Sequence, residues 1–413
     1  MKKSLATLAL VAAGLTSSAY AAEGASPKGV PHLDQVFVIM MENHGYQQIL
    51  NNPSAPFINH LLNTANTANN YFAVAHPSLT NYLETVGGSN FGVLSDNPPD
   101  WHDASCLTNL ATGVADTDTP TTGPICPIYG SGTDAATPAI DYTNETSGPP
   151  GDININGAMS IAADTNISGK TIADQLVANG MSWKSYQESL PVGGADYVNY
   201  SDGTYTNNSV LPTGLSQSDI VQLYASKHDP FVYFRSVQDG YDPELSFRQI
   251  SGFDGTGGLY EDLGSGRVPN YSFIAPNQCN DQHGRSNAGP ICAGDPNDNG
   301  TQVGLNPALI YQGDVAVQRI VTAIKKSPAW NKGNNAIVIL WDENDYSVAP
   351  VINQVVLIVD TNYGRHGVQS PNFYTHFSLL KTIEAGLGLP CLNHACDSNE
   401  HVMSDLFAGP DKN

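Results

Sequence analysis

The chain has 413 residues, 40% of them hydrophobic, and a formal net charge of −22 at neutral pH. That length can bury one large core with insertions or two modest domains. So acidic a surface repels polyanions, which excludes nucleic acid and anionic membranes as natural partners, and an anionic substrate would need a bound cation to reverse the local sign.

Residues 1–21 read as a secretory signal: Lys2 and Lys3, an apolar run from Leu5 to Leu15, and a small-residue cleavage site at Ala19-Tyr20-Ala21. The run is short for a bilayer and no later stretch is a spanning candidate, so the expected address is secreted or periplasmic. In an exported chain the six cysteines are most simply three disulfides. Their spacing suggests Cys106 with Cys126, Cys279 with Cys292 and Cys391 with Cys396, and no Cys-x-x-Cys pair points to a thiolate metal site.

The mature chain reads as one domain over about 32–408. Val36 to Met41 is a continuous apolar run without helical period, as in a strand buried on both faces. Glu42, Asn43 and His44 stand at its carboxyl end, where open α/β sheets bind ligands. Residues 55–67 have helical spacing, Tyr71 to Val74 reads as a short strand, and Leu79 to Val86 as a helix opened by Ser78. About 89–169 is rich in Gly, Pro, Thr, Asp and Asn and reads as a loop-rich insertion. Order returns with a helix over Thr171–Asn179 and a strand over Ser182–Gln187. Gln217–Ser226 then reads as helix and Phe231–Val237 as strand.

Tyr271–Ala275 is the next strand, and it leads into a turn holding Asp281 and His283. Ala308–Lys326 is an amphipathic helix with Pro307 at its start and two lysines at its negative end. Ala336–Trp341 is a second buried strand, ending in Asp342-Glu343-Asn344-Asp345; Val355–Asp360 is a strand and Thr375–Leu387 a helix. This alternation predicts a doubly wound α/β fold on a mainly parallel sheet. Asp295–Gly300 (DPNDNG) resembles the front of a calcium loop, but Asn306 stands where the bidentate Glu belongs, so it reads as a polar loop.

Carboxylates and an amide oxygen at two strand ends, Glu42-Asn43 and Asp342-Glu343, make a hard oxygen cage suited to Mg²⁺, Mn²⁺ or Ca²⁺. Ser78 at a helix start has free N–H groups beside it that favour a phosphate, and a metal on its hydroxyl would activate it. Singly, each feature has a plainer reading: Ser78 as an N-cap, Asp342–Asp345 as a solvated turn, His366 and His376 as structural histidines. Their convergence at strand ends favours a site.

Glu42–His44 (ENH), His76–Tyr82 (HPSLTNY), Pro276–Gly284 (PNQCNDQHG), Trp341–Asp345 (WDEND) and Tyr374–Pro390 (YTHFSLLKTIEAGLGLP) together resemble the phosphoesterase family. That family holds bacterial phospholipases C and acid phosphatases and belongs to the alkaline-phosphatase-like superfamily. The resemblance spans about Leu33 to Pro390 and implies a three-layer α/β/α sandwich and metal-assisted hydrolysis through a phosphoseryl intermediate. It places Ser78 as nucleophile, Asn81 as donor to a phosphoryl oxygen, and Glu42, Asn43, Asp342 and Glu343 as metal ligands. Asp281, His283 and His366 fall near a second metal or the leaving-group acid, the acid role being favoured for a histidine. Glu343 stands where the superfamily often has His, which counts against a second zinc.

The expected activity is therefore hydrolysis of a small phosphate monoester by a secreted, divalent-metal-dependent enzyme, with Mg²⁺, Ca²⁺ or Mn²⁺ ahead of Zn²⁺. A phospholipase C or other phosphodiesterase is the alternative within this chemistry, and a non-catalytic calcium- or ligand-binding protein the alternative outside it. The phospholipases of the family carry C-terminal extensions, whereas this chain stops soon after Leu387. Arg285 and Arg365, beside His283 and His366, are the expected partners of a dianionic phosphoryl group.

Overall fold

The computed structural model describes residues 23–91, 167, 169–190, 223–344 and 353–408. The signal segment, the bulk of the 89–169 insertion, Cys106 with Cys126, and Asp345 lie outside the described residues. In chain order the elements begin with β1 (Gln35–Met41), α1 (Tyr46–Ile49), α2 (Pro56–Thr64), β2 (Asn66–Ala68), β3 (Tyr71–Phe72), α3 (Ser78–Gly87), α4 (Ile172–Ala178) and β4 (Trp183–Gln187). They continue with α5 (Arg235–Asp239), β5 (Ile250–Ser251), α6 (Leu259–Ser265), β6 (Tyr271–Ala275) and α7 (Pro307–Lys326). The last are β7 (Asn335–Trp341), β8 (Leu357–Thr361), β9 (Gln369–Ser370), β10 (Tyr374–Thr375) and α8 (His376–Leu387).

The eight-stranded sheet runs β5-β4-β6-β1-β7-β8-β2-β9. β1 lies in its middle, parallel to β6 on one side and β7 on the other, and β8 alone runs against its neighbours. Helices cover both faces: α2 and α6 pack on α7, while α4 and α8 pack on α3. This sandwich explains why Val36–Met41 and Ala336–Trp341 read as unbroken apolar runs. Every one of these side chains has no exposure, because neither face of the sheet meets water.

Two local expectations change. Phe231–Val237 is not a strand: it forms a 3-10 turn over Pro230–Tyr233 followed by α5. A short apolar run does not distinguish strand from other buried structure, and here Phe231 packs on Trp183 and Phe273 while Phe234 meets Phe91 edge-on. Within the described part of Gln217–Ser226, residues 223–225 are not helical and Ser226 opens a 3-10 turn. The Tyr71 strand leaves the main sheet and pairs with β10 in a small parallel ribbon.

No described helix is long and apolar enough to cross a membrane. Cys279–Cys292 and Cys391–Cys396 are bridged. The first closes the segment after β6, and the same segment is fixed from within by Gln282, which accepts from Trp341 Nε1 at 3.0 Å and donates to the Ile310 carbonyl at 3.0 Å. α7 comes close enough for this because Gly313 has no side chain: a Cβ there would lie 2.3 Å from Gln282 Cγ. Replacing Cys279 and Cys292 together by Ser should lower the unfolding free energy in urea by about 3 kcal/mol, the loop-closure value for so short a loop. An unchanged midpoint would mean that the Gln282 contacts alone hold the segment.

Candidate active site

Register brings the acidic strand ends together. Met41 pairs with Trp341, so Glu42 and Asp342 leave the sheet side by side, with Asp342 N–H donating to the Met41 carbonyl at 2.9 Å. Glu42 N–H donates to the Asp281 carbonyl at 2.9 Å, which brings the turn after β6 to the same point. Asn43 takes a left-handed φ of 52° and its N–H donates to Asp342 Oδ1 at 3.1 Å.

Ser78 is the first residue of α3. Its Oγ lies 3.2 Å from Glu42 Oε2 and 3.3 Å from Glu343 Oε1, with Asp342 a third carboxylate in reach. A hydroxyl has one hydrogen, so it satisfies one of these at a time. Glu343 Oε2 lies 2.8 Å from His76 Nδ1 and accepts from Asn81 Nδ2 at 3.0 Å. On the other side, Glu42 Oε1 accepts from the Tyr82 hydroxyl at 2.6 Å and lies 3.0 Å from His228 Nε2. The His228 ring stacks on Tyr82 with an interplanar angle of 7°, and its Nδ1 is 3.3 Å from Asp281 Oδ2. His283 stands next to His228, their ring centroids 5.7 Å apart, and Glu42, His228 and His283 can point ligand atoms at one place.

Glu42, Asp281, Asp342 and Glu343 are all at most 1% exposed. Burial, then the charges of Asp342 and Asp281, push the Glu42 carboxyl well above its usual range; burial does the same to Asp281 and raises Asp342 to about 6. His228 is driven the other way by burial and by Lys227 and His283, so its ring stays neutral. Asp342 Oδ2 is buried without a hydrogen-bond partner. Closely packed carboxylates, a hydroxyl with too few hydrogens and an orphaned carboxylate oxygen form a donor set that fits a hard divalent cation.

Of the residues expected from the sequence, Glu42, Asn43, Ser78, Asn81, Asp281, His283, Asp342 and Glu343 meet here. His366 and Arg365 do not. β8 is antiparallel to β7 and ends with Thr361 opposite Ala336, so the turn after it lies at the amino ends of the parallel strands, away from Asp342 by the length of β7. That is roughly 20 Å at about 3.3 Å per residue. Both side chains are exposed there. Asn81 Nδ2 donates to Glu343 and to the Ala75 carbonyl while Oδ1 accepts from Val74 and Ala75 N–H, so it braces the turn before Ser78.

His44 turns away from the carboxylates, its Nδ1 3.0 Å from the Glu42 carbonyl and its Nε2 2.9 Å from Asp295 Oδ2. Burial opposes its protonation, but the Asp295 hydrogen bond and charge outweigh it and raise the pKa. The Asp295–Gly300 loop thereby docks on the turn after β1, helped by Gln48 donating to Asp298 at 2.9 Å. Arg285 is half-buried, two residues beyond His283.

Sequence reasoning missed His76, Tyr82, Lys227 and His228. The first two lie inside the HPSLTNY motif, where the resemblance assigns roles to Ser78 and Asn81 alone. Lys227 and His228 belong to Ser226–Pro230 (SKHDP), a short polar turn that carries no motif of its own.

A helix-initiating hydroxyl facing buried carboxylates at the carboxyl ends of a mainly parallel sheet is an arrangement suited to hydrolysis of phosphate esters. The chain matches the model of the Phosphoesterase family over residues 49–295 and belongs to that family. It is 23% identical over 410 residues to the phosphatidylinositol-3-phosphatase of Mycobacterium tuberculosis, covering 98% of this chain and 94% of that protein. It is 24% identical over 333 residues to an acid phosphatase of Aspergillus fumigatus, covering 80% of this chain but only 50% of the longer fungal protein. Among solved structures, a protein in the alkaline phosphatase superfamily from Vibrio parahaemolyticus aligns over 91% of this chain and 71% of its own, with 11% identity and a TM-score of 0.42.

One buried histidine supports this site without facing it. His376, the first residue of α8, donates from Nε2 to the Asp342 carbonyl at 2.7 Å and accepts at Nδ1 from the Tyr71 hydroxyl at 2.8 Å. Burial lowers its pKa to about 4. Between pH 6.5 and about 4 the unfolded chain therefore binds a proton that the native one does not, and this residue's contribution to stability falls on acidification by up to about 1.4 kcal/mol per pH unit. The difference in unfolding free energy between wild type and His376→Gln, measured across that window, should show this slope; a flat difference would mean that His376 is protonated in the fold.

Proposed function

We propose that this chain is an exported, divalent-metal-dependent phosphomonoesterase of acid-phosphatase type that works through a phosphoserine at Ser78. The observation that carries the reading is Ser78 Oγ at the first turn of α3, 3.2 Å from Glu42 and 3.3 Å from Glu343. Relatives named as phosphatases, covering as much as 98% of this chain, support a monoester over a diester. The signal-like first residues and the two disulfides support export.

Glu42, Asn43, Asp342, Glu343 and the Ser78 hydroxyl would hold the cation, which when bound neutralises phosphoryl oxygens and lowers the hydroxyl pKa. The positive end of the α3 dipole favours the phosphoryl group as well. Ser78 Oγ attacks phosphorus in line with the leaving oxygen, and its proton passes to a carboxylate it already faces, Glu42 Oε2 or Glu343 Oε1. The bond to the leaving alkoxide breaks as His283, half-buried beside His228, supplies a proton. Water then attacks the phosphoserine and Ser78 regains its proton. His228, neutral and fully buried, holds Glu42 and Asp281 in place, and with Glu42 and His283 it offers the set for a second ion in place of the acid. Arg285 remains a candidate partner of the substrate phosphate.

Ser78→Ala should lower kcat on a chromogenic phosphomonoester by at least about two orders of magnitude with its melting temperature unchanged. Near-wild-type turnover in the folded variant would remove the covalent route. The cation makes a separate demand. A chelator should abolish activity, and Asp342→Asn should reduce the metal retained after dialysis, read by elemental analysis; a metal-free preparation of full activity would rule the ion out.

A further inference from the structure

Lys227 is the one lysine or arginine in the buried interior among the described residues, at 8% exposure; the other lysines and arginines described are half-buried or exposed. It lies in the middle of the Ser226–His228 turn. The next residue locks that turn against the centre, with His228 Nε2 3.0 Å from Glu42 and Nδ1 3.3 Å from Asp281. The ammonium acts on several groups of the site at once: its charge favours ionised Glu42, Asp281 and Asp342 and opposes protonation of His228.

A buried ammonium loses its hydration and is kept only where opposite charge surrounds it. Glu42, Asp281 and Asp342 supply that charge here, yet Glu42 and Asp342 are also groups that a divalent ion would neutralise. A phosphate monoester brings a second negative charge that a diester lacks, and discriminating between the two needs a fixed cation beyond the metal. Arg365 cannot serve, because it lies at the opposite end of the sheet.

We propose that Lys227 sets the charge of the substrate: its ammonium binds non-bridging oxygens of the phosphoryl group and favours a monoester dianion over a diester monoanion. This rests on the phosphoserine reading above. It makes Lys227 a specificity-determining residue, a positive group in addition to Arg285.

The test compares wild type, Lys227→Met, Lys227→Gln and Lys227→Arg on p-nitrophenyl phosphate and its methyl diester, with inorganic phosphate binding followed by calorimetry. Loss of the ammonium should lower kcat/KM for the monoester by about 10²-fold or more and for the diester by no more than about tenfold. Phosphate binding should weaken in the Met and Gln variants, and Lys227→Arg should restore part of both effects. Equal losses on the two esters, or phosphate affinity unchanged in a folded variant, would overturn the proposal and leave Lys227 as a counter-ion of the carboxylates. If Met or Gln impairs folding, Lys227→Arg decides: it keeps the charge, so a retained preference for the monoester supports the proposal, and a preference lost in the folded variant overturns it. A wild-type protein inactive on both esters would instead reject the phosphomonoesterase reading, while the phosphate titration would still test Lys227.

Discussion

Mutual repulsion among Glu42, Asp281, Asp342 and Glu343, none more than 1% exposed, is the constraint on which the rest of this structure depends. Like charges brought together out of water raise one another's proton affinity, and burial adds to it. The surroundings answer with donors: the Tyr82 hydroxyl on Glu42, Asn81 on Glu343, and the backbone N–H of Asn43 on Asp342. Two oxygens, Asp281 Oδ2 and Asp342 Oδ2, have no such partner. A cluster so satisfied at its edges and so charged at its middle is unfavourable as a piece of core and suited to holding cations.

The scaffold keeps these charges from relaxing apart. β1 and β7 are hydrogen-bonded along their full lengths, so Glu42 and Asp342 cannot separate without unzipping the centre of the sheet. His376 ties the Asp342 carbonyl to the start of α8 and to Tyr71. Gln282, gripped by Trp341 and α7, holds the turn that carries Asp281 and His283. Preorganisation of this kind lets polar groups act on a developing charge without first having to move.

Opposite ends of the sheet have different duties. The carboxyl ends of β1, β6 and β7 carry the polar cluster, whereas the turn after β8, with Arg365 and His366 exposed, sits at the other end because β8 runs antiparallel. Strand direction alone separates two histidines that look alike in sequence, each in a polar turn shortly after a strand. Positive charge enters the site from a buried lysine on a 3-10 turn instead.

The buried strands, the serine at a helix start and the acidic strand ends were legible in the sequence because each is a local property. An unbroken apolar run means that both faces are covered, and a polar cluster at its carboxyl end marks where such sheets bind. Two of the disulfides were legible for the same reason, since their partners are close in the chain. Lys227, His228 and the bracing role of Asn81 were not. His228 reaches Glu42 across 186 residues of chain, and nothing in the turn SKHDP announces that partner. The direction of β8 was equally hidden, because an apolar strand buried on both faces has the same residue pattern whether it runs parallel or antiparallel. Local chemistry determined which residues could form a site; strand direction and long-range packing decided which of them do.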